Sequence, residues 1–236
     1  MINYLIFNGQ STKDYGVFIS GSGTFNAPAR DVEKVAVPGR NGTLTIDNGR
    51  YEDIEITYPA FIGKLYKERV DAFRNFVLAD SGHHRLEDTY APDEFRIARW
   101  SSDFINKPVE DLRAGEFEIK FDCYPQRFLK SGEKTVEVTN NQVLHNPTNK
   151  TALPLLRAYG TGTITIAGTT IQITAADTYT DIDCWLEEAY KDTMATDKNA
   201  NLVLTSERFP DLKPGDNTIT FSGISKLEIT PRWWKL

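Results

Sequence analysis

Four carboxylates, Asp181, Asp183, Glu187 and Glu188, form the densest acidic cluster in the C-terminal part of the sequence. Asp181 and Asp183 stand two apart, and on an extended strand that spacing puts both on one face. Such a pair is the raw material of glycoside hydrolysis, where two carboxyl groups about 5–10 Å apart flank the scissile bond. Any alternating strand with a wet face produces the same pattern, so the expectation is a solvated face. Calcium would need further oxygen ligands in a tight loop, and no D-x-D-x-D-G pattern is present. The three histidines are His83, His84 and His145. His83 and His84 lie near Glu87 and Asp88, but neighbours on an extended chain point to opposite faces and cannot easily chelate one ion. No G-x-S-x-G elbow, phosphate-binding Walker loop, H-E-x-x-H or C-x-x-C occurs. Gly21-Ser22-Gly23 has the composition of a phosphate cradle without the strand-to-helix context. The expectation is a protein with no catalytic, cofactor-binding or metal-binding residues, and not an enzyme.

The elements that would hold these residues are mostly strands. Glu116 to Tyr124 alternates strictly, with Phe117, Ile119, Phe121 and Cys123 on one face. Ile54, Ile56 and Tyr58 repeat the pattern, as do Val35 and Val37, which run into the Gly-rich turn Pro38-Gly39-Arg40-Asn41-Gly42 before Leu44 and Ile46. One segment changes period. Ile62, Leu65, Tyr66, Val70, Phe73, Phe76 and Val77 recur at steps of three and four, which predicts an amphipathic helix ended by Ser81-Gly82, the glycine taking a left-handed cap. Further on, Ile164 and Ile166 lead into Ala167-Gly168-Thr169, and Ile171 and Ile173 lead out, a hairpin. Asp181 to Trp185 alternates, Asn201 to Leu204 is a short apolar run, Pro214-Gly215-Asp216-Asn217 turns into Thr218 to Phe221, and Lys226 to Thr230 supplies a last strand. Of Trp233 and Trp234, one is expected in the core.

The chain has 236 residues and a formal net charge of −6, which predicts two compact domains and argues against a nucleic-acid binder. Threonine becomes frequent after the hydrophilic stretch Lys130 to Asn149, so the seam is placed there: residues 1–134 and 135–236. The uncharged stretch Ala158 to Ala176 is too rich in Thr and Gly for a membrane span. The N-terminus carries no basic residue before Lys13 and does not read as a secretory signal. Synthesis in the cytoplasm is expected, with Cys123 and Cys184 buried, free and inert.

Several segments in order resemble the siphophage distal tail protein family. Near the start stand Phe7-Asn8-Gly9, Ser11, Asp14-Tyr15-Gly16-Val17 and Ser20-Gly21-Ser22-Gly23. Arg30-Asp31-Val32-Glu33 precedes the most recognisable signature, Val37-Pro38-Gly39-Arg40-Asn41-Gly42, completed by Asp47-Asn48-Gly49-Arg50-Tyr51. The segment Phe121 to Arg127 is similar to the end of the family's N-terminal domain. Pro147-Thr148 with Pro154, the Gly160-to-Ile173 hairpin, Tyr179 to Asp183, Pro214 to Asn217 and Ile229-Thr230-Pro231-Arg232 resemble its C-terminal domain.

The resemblance implies a mainly β protein: an N-terminal β-sandwich or split-barrel ring-forming domain with one amphipathic α-helix, then a C-terminal galectin-like or jelly-roll β-sandwich. It implies a virion component made in the bacterial host cytoplasm, a homohexameric ring at the distal end of the tail tube that joins the tube protein to the tail-tip hub of the baseplate. No cofactor, nucleic acid or membrane partner is implied. Val37, Pro38, Gly39, Arg40, Asn41 and Gly42 become candidates for the ring interface, set against a plain tight hairpin with Gly39 and Gly42 at positive φ. The other reading is a carbohydrate-binding tail adhesin that contacts host cell-wall sugar through Tyr159, Trp185 and Tyr190.

Overall fold

The structure is a computed structural model that describes residues 2–21, 23, 26–63, 66–102, 106–108 and 115–236. The chain divides into two compact units, 1–127 with residue 236 and 128–235. The seam falls earlier than the hydrophilic stretch at 130–149 because Leu129 already packs on the second core and donates its N–H to Trp233 O at 2.8 Å. Lys130–Glu133 is a 3-10 turn of the second unit, tied to Arg232 by the Gly132 carbonyl.

The first unit contains strands β1 (Leu5–Phe7), β2 (Gln10–Ser11), β3 (Val17–Ile19), β4 (Arg30–Ala36), β5 (Thr43–Tyr51), β6 (Ile54–Ile62), β7 (His84–Asp88), β8 (Glu94–Trp100), β9 (Asn106–Pro108) and β10 (Gly115–Cys123), with one helix, α1 (Tyr66–Val77). Its main sheet runs β2-β1-β7-β8-β10-β6-β3, with β9 on β10. Ile19 N–H bonds Asn3 O at 2.9 Å, so β3 returns to the start of β1 and the sheet curls toward closure. β10 and β6 pair along nine positions, Gly115↔Ile62 to Cys123↔Ile54, and the alternation read from the sequence is kept on both. Every second side chain, among them Ile56, Tyr58, Ile119 and Phe121, therefore enters the core.

The helix is shorter than its sequence period suggested. Ile62 belongs to β6, where it continues the two-residue period from Ile54, and Leu65 lies outside the described residues. α1 stops at Val77, and the left-handed cap expected at Gly82 is not formed: Gly82 has no positive φ and donates its N–H to Asp80 Oδ1 at 2.7 Å. Val70, Phe73 and Val77 point into the core, where Phe73 packs edge-on against Trp100, and Phe76 stacks on Tyr15 at 5.1 Å. Burial of these apolar side chains, not helix propensity, holds so short a helix.

The second unit is a sandwich of two antiparallel sheets. After the short strand β11 (Arg127–Leu129), its strands are β12 (Val136–Val138), β13 (Gln142–Asn146), β14 (Leu155–Tyr159), β15 (Gly162–Ile166), β16 (Thr169–Ile173), β17 (Tyr179–Asp183), β18 (Glu188–Lys191), β19 (Thr193–Asp197), β20 (Leu202–Val203), β21 (Gly215–Ser222) and β22 (Lys226–Thr230). One sheet runs β12-β22-β14-β17-β18-β19 and the other β13-β21-β15-β16-β20. Leu156, Ala158, Ile182, Leu227 and Ile229 from the first meet Ile164, Ile166, Ile171, Ile173 and Ile219 from the second in one core. The β15–β16 connection is a two-residue turn with Ala167 and Gly168 both at positive φ, the geometry that matches strand twist in a tight hairpin. Trp233 is in the core, while Trp234 donates its indole N–H to Thr151 O.

Candidate functional site

Among the described residues, β4 and β5 pair with each other and join none of the three larger sheets. The register places Val35 opposite Leu44 and Glu33 opposite Ile46, so these four share one face of the ribbon. Leu44 and Ile46 are 46% and 44% exposed, an apolar pair left in water. A lone two-stranded ribbon is marginal by itself, and this one is held at its base. Asp31 accepts from Arg50 Nε at 2.6 Å and Asn48 Nδ2 at 3.0 Å, and Arg30 lies over the Tyr51 ring at 4.5 Å. The Asn48 and Arg50 hydrogen bonds hold the Asp31 carboxyl below its ordinary range. The segments Arg30-Asp31 and Asp47 to Tyr51, separate in sequence, are thus cross-strand partners.

At the tip, Val37, Pro38, Gly39, Arg40, Asn41 and Gly42 join the two strands and are all exposed. Gly39 and Gly42 have φ of 78° and 82°, a region that favours glycine, and Arg40 N–H bonds Val37 O at 3.2 Å. The Arg40 guanidinium makes no ion pair with the described residues of its own chain.

The outer face of the β12–β19 sheet carries the second set of candidates. Asp181 and Asp183 are on it as expected, yet they are not solvated: they are 2% and 3% exposed. Arg157 grips Asp181 with bonds of 2.6 and 2.9 Å, and Arg232 grips Asp183 with bonds of 2.6 and 2.8 Å. Both carboxylates are consumed by forked arginine pairs, and neither is poised as a general acid or base.

Tyr159 lies beside Tyr179 with ring centroids 5.4 Å apart. Lys226 stands over the Tyr159 ring and Arg157 over the Tyr179 ring, while Tyr159 OH donates to Glu228 at 3.2 Å and Tyr179 OH to Asp192. Tyr190 is opposite Asp181 on the same face, and burial raises its phenol pKa. Trp185 follows the strand in a turn and packs on Phe128 at 5.4 Å. The fold therefore gathers Tyr159 and Tyr190 on one sheet face and puts Trp185 beyond its end.

His84 binds Asp80 at 2.9 Å and His83 lies on the Tyr124 ring, so the two histidines diverge. Among the described residues, no three His, Cys, Asp or Glu side chains converge on a metal position. Ser22, in the Gly21-Ser22-Gly23 segment, lies outside the described residues.

Sequence reading missed a cleft of about 360 Å³ in the first unit, lined among others by Tyr58, Asp88, Tyr90, Glu94, Arg96 and Arg127. The signal available was Arg96 itself, which stands in register with Ala98 on the core-facing side of β8.

No protein-family model and no curated protein matches the chain. Solved structures do. Two structures of the phage P2 baseplate in its activated conformation, with Ca and with Sr, match 97% of this chain and 97% of theirs at a TM-score of 0.53 and 10% identity. The SPP1 Dit protein (gp 19.1), described as a paradigm of hub adsorption apparatus in phages that infect Gram-positive hosts, matches over 100% of both chains at a TM-score of 0.76 and 14% identity. Across both units, the fold of this chain is similar to that of SPP1 Dit.

Proposed function

We propose that the chain is a structural component of a phage tail: a homohexameric ring at the distal end of the tube, joining the tube protein to the tail-tip hub of the baseplate, with no catalytic step. The observation that carries this reading is the full-length match to SPP1 Dit, a hub protein by its description. Physical features of the chain agree with it. The β4–β5 ribbon presents Leu44, Ile46 and Val37 to solvent on a strand pair that has no sheet partner among the described residues. A second copy is the occupant that a ring provides: a head-to-tail contact closes when its rotation divides a full turn, so one interface of two unlike patches suffices for six copies. The bonded arginine–aspartate pairs of the second unit support a scaffold in place of a hydrolase.

Light scattering over a concentration series, with negative-stain images of the main peak, tests the reading. The expected result is a mass near six times the 26.7 kDa of one chain, in ring-shaped particles. A monomer at every concentration, alone and with the tube protein added, overturns it.

A second reading, an adhesin for host-wall carbohydrate, draws on the Tyr159–Tyr179 pair on an outer sheet face. Aromatic faces can carry sugar rings, but here each ring has a cation over it and a bonded hydroxyl. Retention of the whole chain on host-wall polymer, lost on Tyr159→Ala, favours the adhesin; equal behaviour of both proteins removes it.

A further inference from the structure

Arg96 is 8% exposed and faces the core side of β8, in register with Leu86 of β7. A buried guanidinium normally has an acceptor for its donors, since its charge is otherwise stripped of water without replacement. Here Nη1 has no hydrogen-bond partner among the described residues, and no carboxylate among them is within ion-pair distance of the group.

The neighbouring acids are engaged elsewhere. Asp88 Oδ2 accepts from Tyr58 OH at 3.0 Å, and Oδ1 accepts from the N–H groups of Tyr90 and Ala91, both at 2.9 Å. Glu94 is paired with Arg127 at 2.5 Å. Tyr90 lines the same cleft, and its buried hydroxyl has no hydrogen-bond partner among the described residues. Two residues with unused donors, one charged and one neutral, thus line a single cleft of about 360 Å³.

We propose that this cleft binds a carboxylate, taken up by the Arg96 guanidinium and the Tyr90 hydroxyl. A planar carboxylate has two oxygens to offer to two separate donors, and arginine is the side chain best matched to it. Asp88 and Glu94 also line the cleft, and their repulsion weighs less on a monoanion than on a phosphate with a second charge. The carboxylate is either a small molecule free in solution or the side chain of an Asp or Glu on a second copy of this chain. The site stands on its own geometry and does not depend on the ring reading.

Saturation-transfer NMR on the acetate methyl group, with the full chain at constant ionic strength and acetamide as the neutral control, tests the site. The expected result is a saturable acetate signal that acetamide does not give, weakened at least fivefold by Arg96→Gln and by Tyr90→Phe. Tyr90→Phe keeps the arginine, and so reports on the site if Arg96→Gln fails to fold. A signal that disappears as the chain associates and returns on dilution assigns the carboxylate to a second copy; one that persists at all concentrations assigns it to a free molecule. Absence of a saturable signal in the unmodified chain, equal signals from acetamide, or a folded Tyr90→Phe variant that binds acetate unchanged overturns the proposal.

Discussion

Arg232 holds Asp183 through two parallel hydrogen bonds, Nη1 to Oδ1 at 2.6 Å and Nη2 to Oδ2 at 2.8 Å, across 49 residues of sequence. Asp183 also accepts the N–H groups of Trp185 and Leu186, so a carboxylate 3% exposed has four donors on it. Removing Arg232 leaves the Asp183 charge buried without its counter-charge, which costs about 3–5 kcal/mol. Arg232→Met is therefore expected to lower the urea midpoint of the second unit sharply. A double variant Arg232→Met with Asp183→Leu removes both charges and should recover part of the loss. A single variant as stable as the unmodified chain would mean the pair is solvated in solution.

The same pair sets a response to acid. Burial raises the Asp183 pKa, but the Arg232 hydrogen bonds and charge, with the two backbone donors, outweigh it and leave the carboxyl below its ordinary value. A group with a depressed folded pKa contributes stability that is present above its unfolded value, near 4, and lost as pH falls through the folded one. Urea midpoints should thus be level around neutrality and fall below about pH 4. Asp183→Asn should start lower at pH 7 and fall less steeply in the acid range; equal slopes would detach the loss from this residue.

Gly162 opens β15 where no side chain fits. A Cβ built there would stand 2.0 Å from Ser222 O and 2.9 Å from Gly223 Cα, both backbone atoms, at a φ of +154°. Gly168, at the tip of the same hairpin, has φ +86° and nothing within 4 Å. Gly162→Ala must displace the β21 backbone and is expected to cost roughly 3 kcal/mol or more from overpacking and strain together. Gly168→Ala meets only the left-handed penalty, about 1 kcal/mol. Denaturant titration of the two variants ranks them, and equal costs would show that the β15–β21 approach is looser than 2.0 Å implies.

Cys123 and Cys184 are buried and free. Burial pushes the Cys123 thiol up to about 12 and raises Cys184 as well, so neither forms the thiolate that reacts. Ellman's reagent should find no accessible thiol in native buffer and two in guanidinium. A fast-reacting thiol in the native chain would reveal local opening around β10 or β17.

The strands were legible wherever burial is one-sided. Glu116 to Tyr124 alternates, and β10 follows it almost residue for residue, as β22 does at Lys226–Thr230. The start of the helix was not legible, because Ile62 satisfies both the strand period from Ile54 and the helical step to Tyr66. Asp181 and Asp183 looked like a wet face because their partners, Arg157 and Arg232, come from other strands and segments; local periodicity carries no trace of them. The ribbon base was visible as two short segments, but that Asp31 and Arg50 meet across it required the fold. Arg96 was hidden for another reason: a charge at a core-facing position reads as a break in the pattern rather than as a site.

The ribbon separates assembly from stability. Leu44 and Ile46 are nearly half exposed, and in the single chain their replacement removes little buried area, so Leu44→Ser with Ile46→Ser should change the unfolding free energy from urea titration by no more than about 0.5 kcal/mol per site. If a second copy covers this face, the same substitutions leave polar groups in a dry interface and take away its apolar contact. The double variant is then expected to run as a folded monomer under conditions where the unmodified chain is a ring. Arg40→Ala, at a tip whose guanidinium makes no ion pair with the described residues of its own chain, should weaken the proposed ring less if its partner is a rim carboxylate, and that loss should shrink as salt is raised. Unchanged mass for the Leu44/Ile46 double variant would take the ribbon out of the proposed ring contact.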